Sequence, residues 1–254
     1  MSSIDPWFPY RKPNPQTQLR LFCFPYAGGN ASVYRNWAEN LPAEVELCAI
    51  QLPGRESRLL EKPFLDLSKL IPVLADAISP YFNLPFAFFG HSMGAMISFE
   101  LTRYLRQQSS QQPIHLFVSG HGAPHIPDPD PDIHQLPEEE FIEEIRRYNG
   151  TPEAVLQNQE LMQLLLPLLR ADFTLVETYR YINDLPLDSP VSAYGGLQDR
   201  VTREQLDGWR EHTRAAFKLR MFPGDHFFLQ TARADLLYTI SEDLFLYLRR
   251  IILG

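Results

Sequence analysis

A serine between two glycines is the first feature of this sequence that could do chemistry. The segment Gly-His-Ser-Met-Gly at residues 90–94 follows an aromatic run and precedes a stretch that suits a helix. A serine on a tight strand-to-helix turn is forced into a strained backbone geometry, in which flanking side chains would clash. Gly90 and Gly94 remove those clashes and leave Ser92 exposed near a helix N-terminus, which favours developing negative charge. The pattern predicts a nucleophilic serine.

An acid and a base for this serine follow later predicted strands. Asp199 comes after one such strand, and Asp225 and His226 come after the next. In hydrolases with a strand-turn-helix serine, the acid and then the histidine follow it in the chain, on loops at the carboxyl edge of the sheet. We predict that His226 takes the Ser92 proton and that Asp199 orients the imidazole and stabilises its cation. Asp225 is the alternative acid.

Attack by the serine creates an oxyanion that needs two backbone N–H donors. The first is expected from Met93, the residue after the nucleophile. The second is expected from the glycine-rich turn after the first strand, where Ala27 is the predicted donor and Tyr26 its alternative. A phosphate-binding role for this turn is disfavoured, because it lacks Gly-x-Gly-x-x-Gly and Gly-Lys-Ser/Thr patterns.

Strands and helices that could position these residues alternate along most of the chain, which predicts a mostly parallel, doubly wound α/β sheet. The predicted strands are residues 20–25, 45–52, 86–90, 115–119, 191–195 and 217–222. The predicted helices in this part of the chain are residues 32–40, 67–81, 92–107, 202–214 and 231–251. Residues 1–18 are rich in proline and are expected to form an irregular arm, which Trp7 and Phe8 attach to the body.

The alternation stops between residues 122 and 187, where no strand is evident. Helical patterns follow a proline- and aspartate-rich stretch and cover residues 138–148 and 153–182, and Pro167 is expected to break or kink the second. We interpret this segment as a helical lid inserted into one α/β domain that spans residues 1–254.

Composition excludes several classes of protein. The net charge of −8 argues against a general nucleic-acid binder. Cys23 and Cys48 lie in apolar runs and are expected to be buried, reduced thiols. The polar N-terminus lacks a signal-peptide pattern, and no apolar run has transmembrane length, so we expect a cytoplasmic protein without a membrane partner. We also expect it to be a monomer.

A metal site could be imagined from His121, His125 and the aspartates that follow them. The interleaved prolines disfavour the helix that would place the two histidines on one face. We therefore expect no metal and no cofactor, and expect both histidines near the mouth of the site.

Taken together, these motifs resemble those of the type II thioesterases, which serve nonribosomal peptide and polyketide synthesis and have the α/β-hydrolase fold. The resemblance rests on segments spread over nearly the whole chain: the aromatic and glycine-rich turn at 24–29, Leu-Pro-Gly-Arg-Glu-Ser-Arg at 52–58, Gly-His-Ser-Met-Gly-Ala at 90–95, Asp199, and Gly-Asp-His-Phe-Phe-Leu at 224–229. The family is related to the medium-chain acyl thioesterases of fatty-acid synthesis.

The resemblance implies hydrolysis of acyl or aminoacyl thioesters on the phosphopantetheine arm of carrier proteins, which clears stalled or mis-primed chains. It implies no metal or cofactor. Carrier proteins are generally acidic, so we expect Arg55 and Arg58, with Lys62, to form a basic patch that meets them; a solvated loop paired with its own glutamates is the alternative. A medium-chain acyl thioesterase, a general carboxylesterase, a non-catalytic carrier-binding module and a product-releasing domain remain competing functions.

Overall fold

A parallel sheet forms the centre of the structure, a computed structural model that describes residues 5–108 and 111–253. Its six strands lie in the order β2-β1-β3-β4-β5-β6, and each neighbouring pair is parallel. The strands are β1 (Leu19–Phe24), β2 (Val45–Ala49), β3 (Phe86–His91), β4 (Leu116–Ser119), β5 (Val191–Gly196) and β6 (Phe217–Phe222). The strand order reverses between β1 and β3, and the predicted doubly wound α/β sheet is confirmed.

Helices cover both faces of this sheet. They are α1 (Leu67–Ile78), α2 (Met93–Gln108), α3 (Glu138–Tyr148), α4 (Glu153–Leu156), α5 (Gln159–Glu177), α6 (Arg203–Asp207), α7 (Phe228–Thr231) and α8 (Arg233–Leu253). Alternate residues of a strand point to opposite faces. Phe22 and Phe24 accordingly join a core with α1 and α2, whereas Leu21 and Cys23 join a second core with α8.

The segment between β4 and β5 is helical, as the sequence predicts. Helices α3, α4 and α5 lie there and share a small core of their own, formed by Ile133, Phe141, Ile145, Leu156, Met162, Leu166 and Leu169. The segment that leads from α5 to β5 is hydrogen-bonded to α2. Arg106 donates to Asp184 at 2.5 Å, and Arg103 donates to the Ile182 carbonyl at 2.6 Å. The helical segment is thereby held to the helix that follows Ser92.

The prediction of one helix over residues 153–182 is wrong in its extent, and Pro167 does not break the helix. Helix α4 ends at Leu156, and α5 begins after Asn158, whose side chain caps it by accepting from the Leu161 N–H at 3.1 Å. Pro167 lies inside α5 without ending it. Its ring is exposed, as is Gln163 one turn earlier, so water can satisfy the carbonyl that proline leaves without a donor.

Shorter elements also differ from the predictions. Residues 32–40 form two 3₁₀ turns, Ala31–Tyr34 and Ala38–Asn40, because Tyr34 and Trp37 lie three residues apart and both pack on Phe89. Residues 202–214 form only α6 and a following 3₁₀ turn, Gly208–His212, although the predicted capping box of Thr202 and Gln205 is present. Strand β2 ends at Ala49.

The described part of the N-terminal arm is irregular and packs on the body. Phe8 is 2% exposed and lies against Tyr81, with ring centroids 4.7 Å apart; residues 1–4 lie outside the described residues. Cys23 and Cys48 are buried and free, as predicted. Among the residues that the structure describes, no helix combines the length and apolar character needed to cross a membrane.

Candidate active site

Ser92 occupies the junction between β3 and α2. Its φ is +53°, a region that residues with side chains rarely adopt. The Ser92 N–H donates to the Ser119 carbonyl at the end of β4 at 2.7 Å, and its own carbonyl accepts from the Ala95 N–H in the first turn of α2 at 2.9 Å. The strained backbone is therefore held from both sides, as the elbow pattern predicts.

The two glycines around Ser92 permit close backbone contacts. A Cβ on Gly90 would lie 2.0 Å from the Gly94 carbonyl oxygen, and one on Gly94 would lie 2.0 Å from the Phe24 carbonyl oxygen. The second contact presses the start of α2 against the end of β1. The glycine-rich turn that follows β1 consequently lies next to Ser92.

His226 and Asp199 form a hydrogen-bonded pair. His226 follows β6, Asp199 follows β5, and the His226 Nδ1 lies 3.1 Å from each Asp199 carboxylate oxygen. The Asp199 side chain is 1% exposed and the His226 side chain 18% exposed. A carboxylate can only accept, so Nδ1 carries the proton and Nε2 is free to act as a base.

Gly120 leaves room for the His91 and His226 rings, and sequence reasoning missed this residue. A Cβ on Gly120 would lie 2.7 Å from Cε1 of His91 and 3.3 Å from Cε1 of His226. Gly120 follows Ser119, whose carbonyl holds the Ser92 N–H, so the imidazole lies over the strand end beside Ser92. The available signal was a glycine directly after β4, at the edge where the serine is presented.

Asp225, the alternative acid, makes other contacts. Its Oδ1 accepts from the Phe227 N–H at 2.9 Å, and its Oδ2 accepts from Asn149 Nδ2 at 3.2 Å. Asn149 ends helix α3, so Asp225 bonds the helical segment above the sheet. Asp199, and not Asp225, is bonded to His226.

The glycine-rich turn offers few free donors. The Gly28 N–H donates to Asp172 Oδ2 at 2.7 Å, and the Gly29 N–H donates to the Tyr26 carbonyl at 2.8 Å. The N–H groups of Tyr26 and Ala27 remain as candidates for an oxyanion, which are the two residues that the sequence singles out.

The expected basic patch of Arg55 and Arg58 is wrong. Arg55 is 4% exposed and forms an ion pair with Asp172, with Nη2 and Oδ1 2.8 Å apart. Arg58 is 7% exposed, lies 3.9 Å from the centre of the Trp7 ring and pairs with Glu61. Planar guanidinium groups suit such buried, bidentate or stacked sites, and these two therefore offer no surface charge to a partner.

The electrostatics around the pair keep a neighbouring histidine neutral. Burial, and then repulsion from His226, lowers the pKa of His91 well below its ordinary value of 6.5. Ser119 Oγ lies 2.9 Å from its Nδ1. Uncharged His91 therefore places no positive charge beside the His226 imidazole.

A cavity of about 350 Å³ opens beside this cluster. Tyr26 and Phe227 line it together with Asn149, Gly150 and Thr151. Tyr26 and Phe227 are the sequence neighbours of Ala27 and His226. The cavity therefore lies between the helical segment and the loops that carry candidate site residues.

The histidines considered for metal binding make other contacts. His125 Nδ1 lies 2.8 Å from His212 Nε2, and Arg200 pairs with Asp130 at 3.4 Å. Burial lowers the pKa of His121, which lies within electrostatic range of His226. Over residues 5–108 and 111–253, no cluster of three or more His, Cys, Asp or Glu side chains is arranged to hold a metal ion.

These features define a class of protein. A parallel sheet, a strained serine between a strand and a helix, and a histidine–aspartate pair on later loops are the arrangement of an α/β-hydrolase. The model of one family, described as "Thioesterase domain", matches residues 19–244. The chain belongs to this thioesterase family, and it is a thioester-cleaving enzyme.

Individual relatives agree with this assignment. The chain is 49% identical over 249 residues to the gramicidin S biosynthesis protein GrsT of Aneurinibacillus migulanus, covering 98% of this chain and 97% of that protein. The solved structure of RedJ, a thioesterase from the prodiginine biosynthetic pathway in Streptomyces coelicolor, has a TM-score of 0.84 at 38% identity and covers 91% of this chain and 88% of its own. The solved structure of the type II thioesterase BorB from the borrelidin biosynthetic cluster has a TM-score of 0.83 at 37% identity, and the match covers 92% of this chain and 95% of BorB. The predicted resemblance to type II thioesterases is confirmed.

Proposed function

We propose that this thioesterase hydrolyses acyl and aminoacyl thioesters on the phosphopantetheine arm of carrier proteins, and so clears stalled or mis-primed chains during nonribosomal peptide or polyketide synthesis. The observation that carries the proposal is the His226–Asp199 pair, seated over Gly120 beside the Ser92 elbow. Relatives named for gramicidin S, prodiginine and borrelidin biosynthesis support the carrier-bound class of substrate.

The first half of the reaction transfers the acyl group to the enzyme. Ser92 Oγ attacks the thioester carbonyl carbon while its proton passes to His226 Nε2, and Asp199 stabilises the imidazolium that forms. The N–H groups of Ala27 and Met93 donate to the oxyanion. The C–S bond then breaks, the proton of Nε2 passes to the sulfur, and the pantetheine thiol leaves.

The second half returns the enzyme to its starting state. His226 Nε2 takes a proton from water, whose oxygen attacks the acyl carbon and forms a second oxyanion in the same donors. The bond between that carbon and Ser92 Oγ breaks, the proton returns to the serine, and the carboxylic acid leaves. Both halves use only side chains and N–H groups of this chain, so the reaction calls for no metal or cofactor.

Helices α3, α4 and α5 act in this proposal as the lid of one domain that spans residues 1–254. The cavity of about 350 Å³ that Asn149, Gly150 and Thr151 line beside Tyr26 and Phe227 supports this role, because its volume suits part of the arm or of an acyl group. We propose that the protein works as a monomer in the cytoplasm, without a nucleic-acid or membrane partner. The buried, unpaired thiols of Cys23 and Cys48 support a reducing compartment.

A panel of acyl, aminoacyl and peptidyl groups loaded on a carrier protein tests the proposal, with the released acid measured by mass spectrometry. We expect Ser92→Ala to lower hydrolysis by at least roughly 10³-fold, because the nucleophile is lost. Ser98→Ala is a matched control: this serine lies on α2, the helix that follows Ser92, is buried, and donates to the Ala95 carbonyl at 2.9 Å.

Different outcomes point to different functions. Faster turnover of a matched oxygen ester than of the carrier thioester would favour a carboxylesterase. Undiminished release by Ser92→Ala would contradict catalysis by this serine and favour a carrier-binding module. A preference for free medium-chain acyl thioesters over aminoacyl groups on carrier proteins would favour a medium-chain acyl thioesterase of fatty-acid synthesis.

A further inference from the structure

A buried ion pair connects the lid to the body of the protein. Arg55 lies after β2, Asp172 lies on α5, and the two are 4% and 2% exposed. Arg55 Nη2 donates to Asp172 Oδ1 at 2.8 Å, and Nη1 donates to Oδ2 at 3.0 Å. Such a pair loses hydration on both sides, so its presence alone says little about stability. Its remaining hydrogen bonds indicate what it holds in place.

Two of those remaining bonds go to the glycine-rich turn, and the third joins Arg55 Nε to the Pro53 carbonyl at 3.4 Å. Asp172 Oδ2 accepts from the Gly28 N–H at 2.7 Å, and Arg55 Nη1 donates to the Gly29 carbonyl at 2.7 Å. Gly28 has φ +74°, as the third residue of a type II turn does. Because the peptide unit is planar, holding the Gly28 N–H fixes the plane that begins at the Ala27 Cα.

Helix α5 also packs directly on this turn. A Cβ on Gly28 would lie 2.5 Å from Leu169 Cδ2. Leu169 precedes Asp172 by three residues and therefore shares its helix face. The same face of the lid helix thus contacts the turn through an apolar group and a charged group, so the geometry of the turn depends on how α5 is seated.

We propose that Arg55 and Asp172 are positioning residues, which hold the Ala27 N–H in line for the oxyanion by fixing the turn against lid helix α5. This inference rests on the proposed function, in which Ala27 is an oxyanion donor. The lid then completes the catalytic centre as well as covering it. Neither side chain touches the substrate; each acts through the backbone that it bonds.

Two conservative variants test this role on the full chain. Asp172→Asn keeps the size and one acceptor oxygen, and Arg55→Lys keeps the charge but loses the two-pronged bond. We expect each to lower kcat on an acyl-carrier thioester about 10- to 100-fold, because a misplaced donor weakens stabilisation that exists only in the transition state. KM should stay within about twofold, since ground-state binding is untouched.

A second readout separates positioning from general loss of structure. A boronic acid that forms a tetrahedral adduct with the serine should bind each variant more weakly, by the factor that kcat falls. An amide analogue of the acyl-pantetheine, which cannot be cleaved, should bind as it binds the wild type. Loss of kcat with undiminished boronate affinity would overturn the proposal, as would wild-type kcat in both folded variants.

Glu46→Gln provides the matched control. Glu46 forms a buried ion pair with Arg20 at 2.7 Å, at the opposite end of the strands from the turn. We expect this variant to lower the melting temperature and keep kcat. If Asp172→Asn does not fold, Arg55→Lys decides the question by the same two readouts. Wild-type activity in Ser92→Ala would contradict the proposed function itself. An inactive Ser92→Ala beside wild-type kcat in every folded positioning variant would contradict only the positioning role.

Discussion

Several positions in this site need glycine because neighbouring chain segments lie very close to them. A Cβ on Gly90 or on Gly94 would lie 2.0 Å from a carbonyl oxygen, and one on Gly120 would lie 2.7 Å from the His91 ring. The first two contacts involve backbone atoms, which cannot rotate aside as a side chain can. Glycine is required at those two positions because of packing, and the serine geometry depends on it.

Gly94→Ala tests this argument. The added methyl group would overlap the Phe24 carbonyl at 2.0 Å, so α2 must move away from the end of β1. We expect the free energy of unfolding, measured by urea denaturation, to fall by at least about 3 kcal/mol. Gly122→Ala is the control, because its nearest neighbour is the Gln205 side chain at 3.2 Å; we expect a loss below about 1 kcal/mol. Equal losses would contradict the argument.

The residues found from sequence differ in kind from those missed. Ser92, Asp199 and His226 stand at the ends of recognisable strands, so pattern and order single them out. Asp172 stands inside a helix without a motif, and its partner Arg55 is 117 residues away. No local pattern indicates a contact over that distance, so Arg55 was wrongly predicted to belong to a basic surface patch.

The strands and helices that could be predicted are those set by local sequence, and the wrong predictions concern elements set by distant contacts. Strands β1 and β3 were predictable because buried apolar runs end at glycine or proline. The prediction of a helix over residues 32–40 is wrong, because the packing of Tyr34 and Trp37 on Phe89 suits the three-residue period of 3₁₀ turns. Pro167 was expected to break or kink its helix and does not break it; the side of the helix that a proline faces depends on tertiary structure.

Pro167→Ala measures how much the proline destabilises lid helix α5, although it does not end the helix. Alanine restores an N–H that can donate to the Gln163 carbonyl, and proline costs about 3 kcal/mol relative to alanine within a helix. The more flexible unfolded chain offsets about 1 kcal/mol of this. We expect amide hydrogen exchange in α5 to slow by about tenfold or more. Pro152→Ala, at the N-cap of α4, should leave exchange in α5 unchanged. Unchanged or faster exchange in α5 of the Pro167 variant would refute this account.

The stability of the whole molecule should depend on histidines that it buries uncharged. Burial lowers the pKa of His115 from 6.5 to about 4, and burial also lowers that of His212 to about 4. Asp243, 3.9 Å from His115, opposes this shift, and Lys218 adds to it. Ser192 Oγ lies 2.9 Å from the His115 ring, which stacks on Phe117. Both histidines are therefore neutral in the folded protein over a range where the unfolded chain is protonated.

The sign of the effect follows from proton counts. Between pH 6.5 and about 4, the unfolded chain binds a proton on His115 that the folded chain does not, so stability is full above pH 6.5 and falls as the pH falls. His115→Gln removes this term, and we expect the slope of unfolding free energy against pH to decrease by up to about 1.4 kcal/mol per pH unit in that window. Urea denaturation at intervals from pH 4.5 to 8 measures it. Packing that is lost with the imidazole lowers the free energy of unfolding equally at every pH, and its size is measured at pH 8. An unchanged slope would mean that the His115 side chain is protonated in the folded protein as it is in the unfolded chain, which would contradict this prediction.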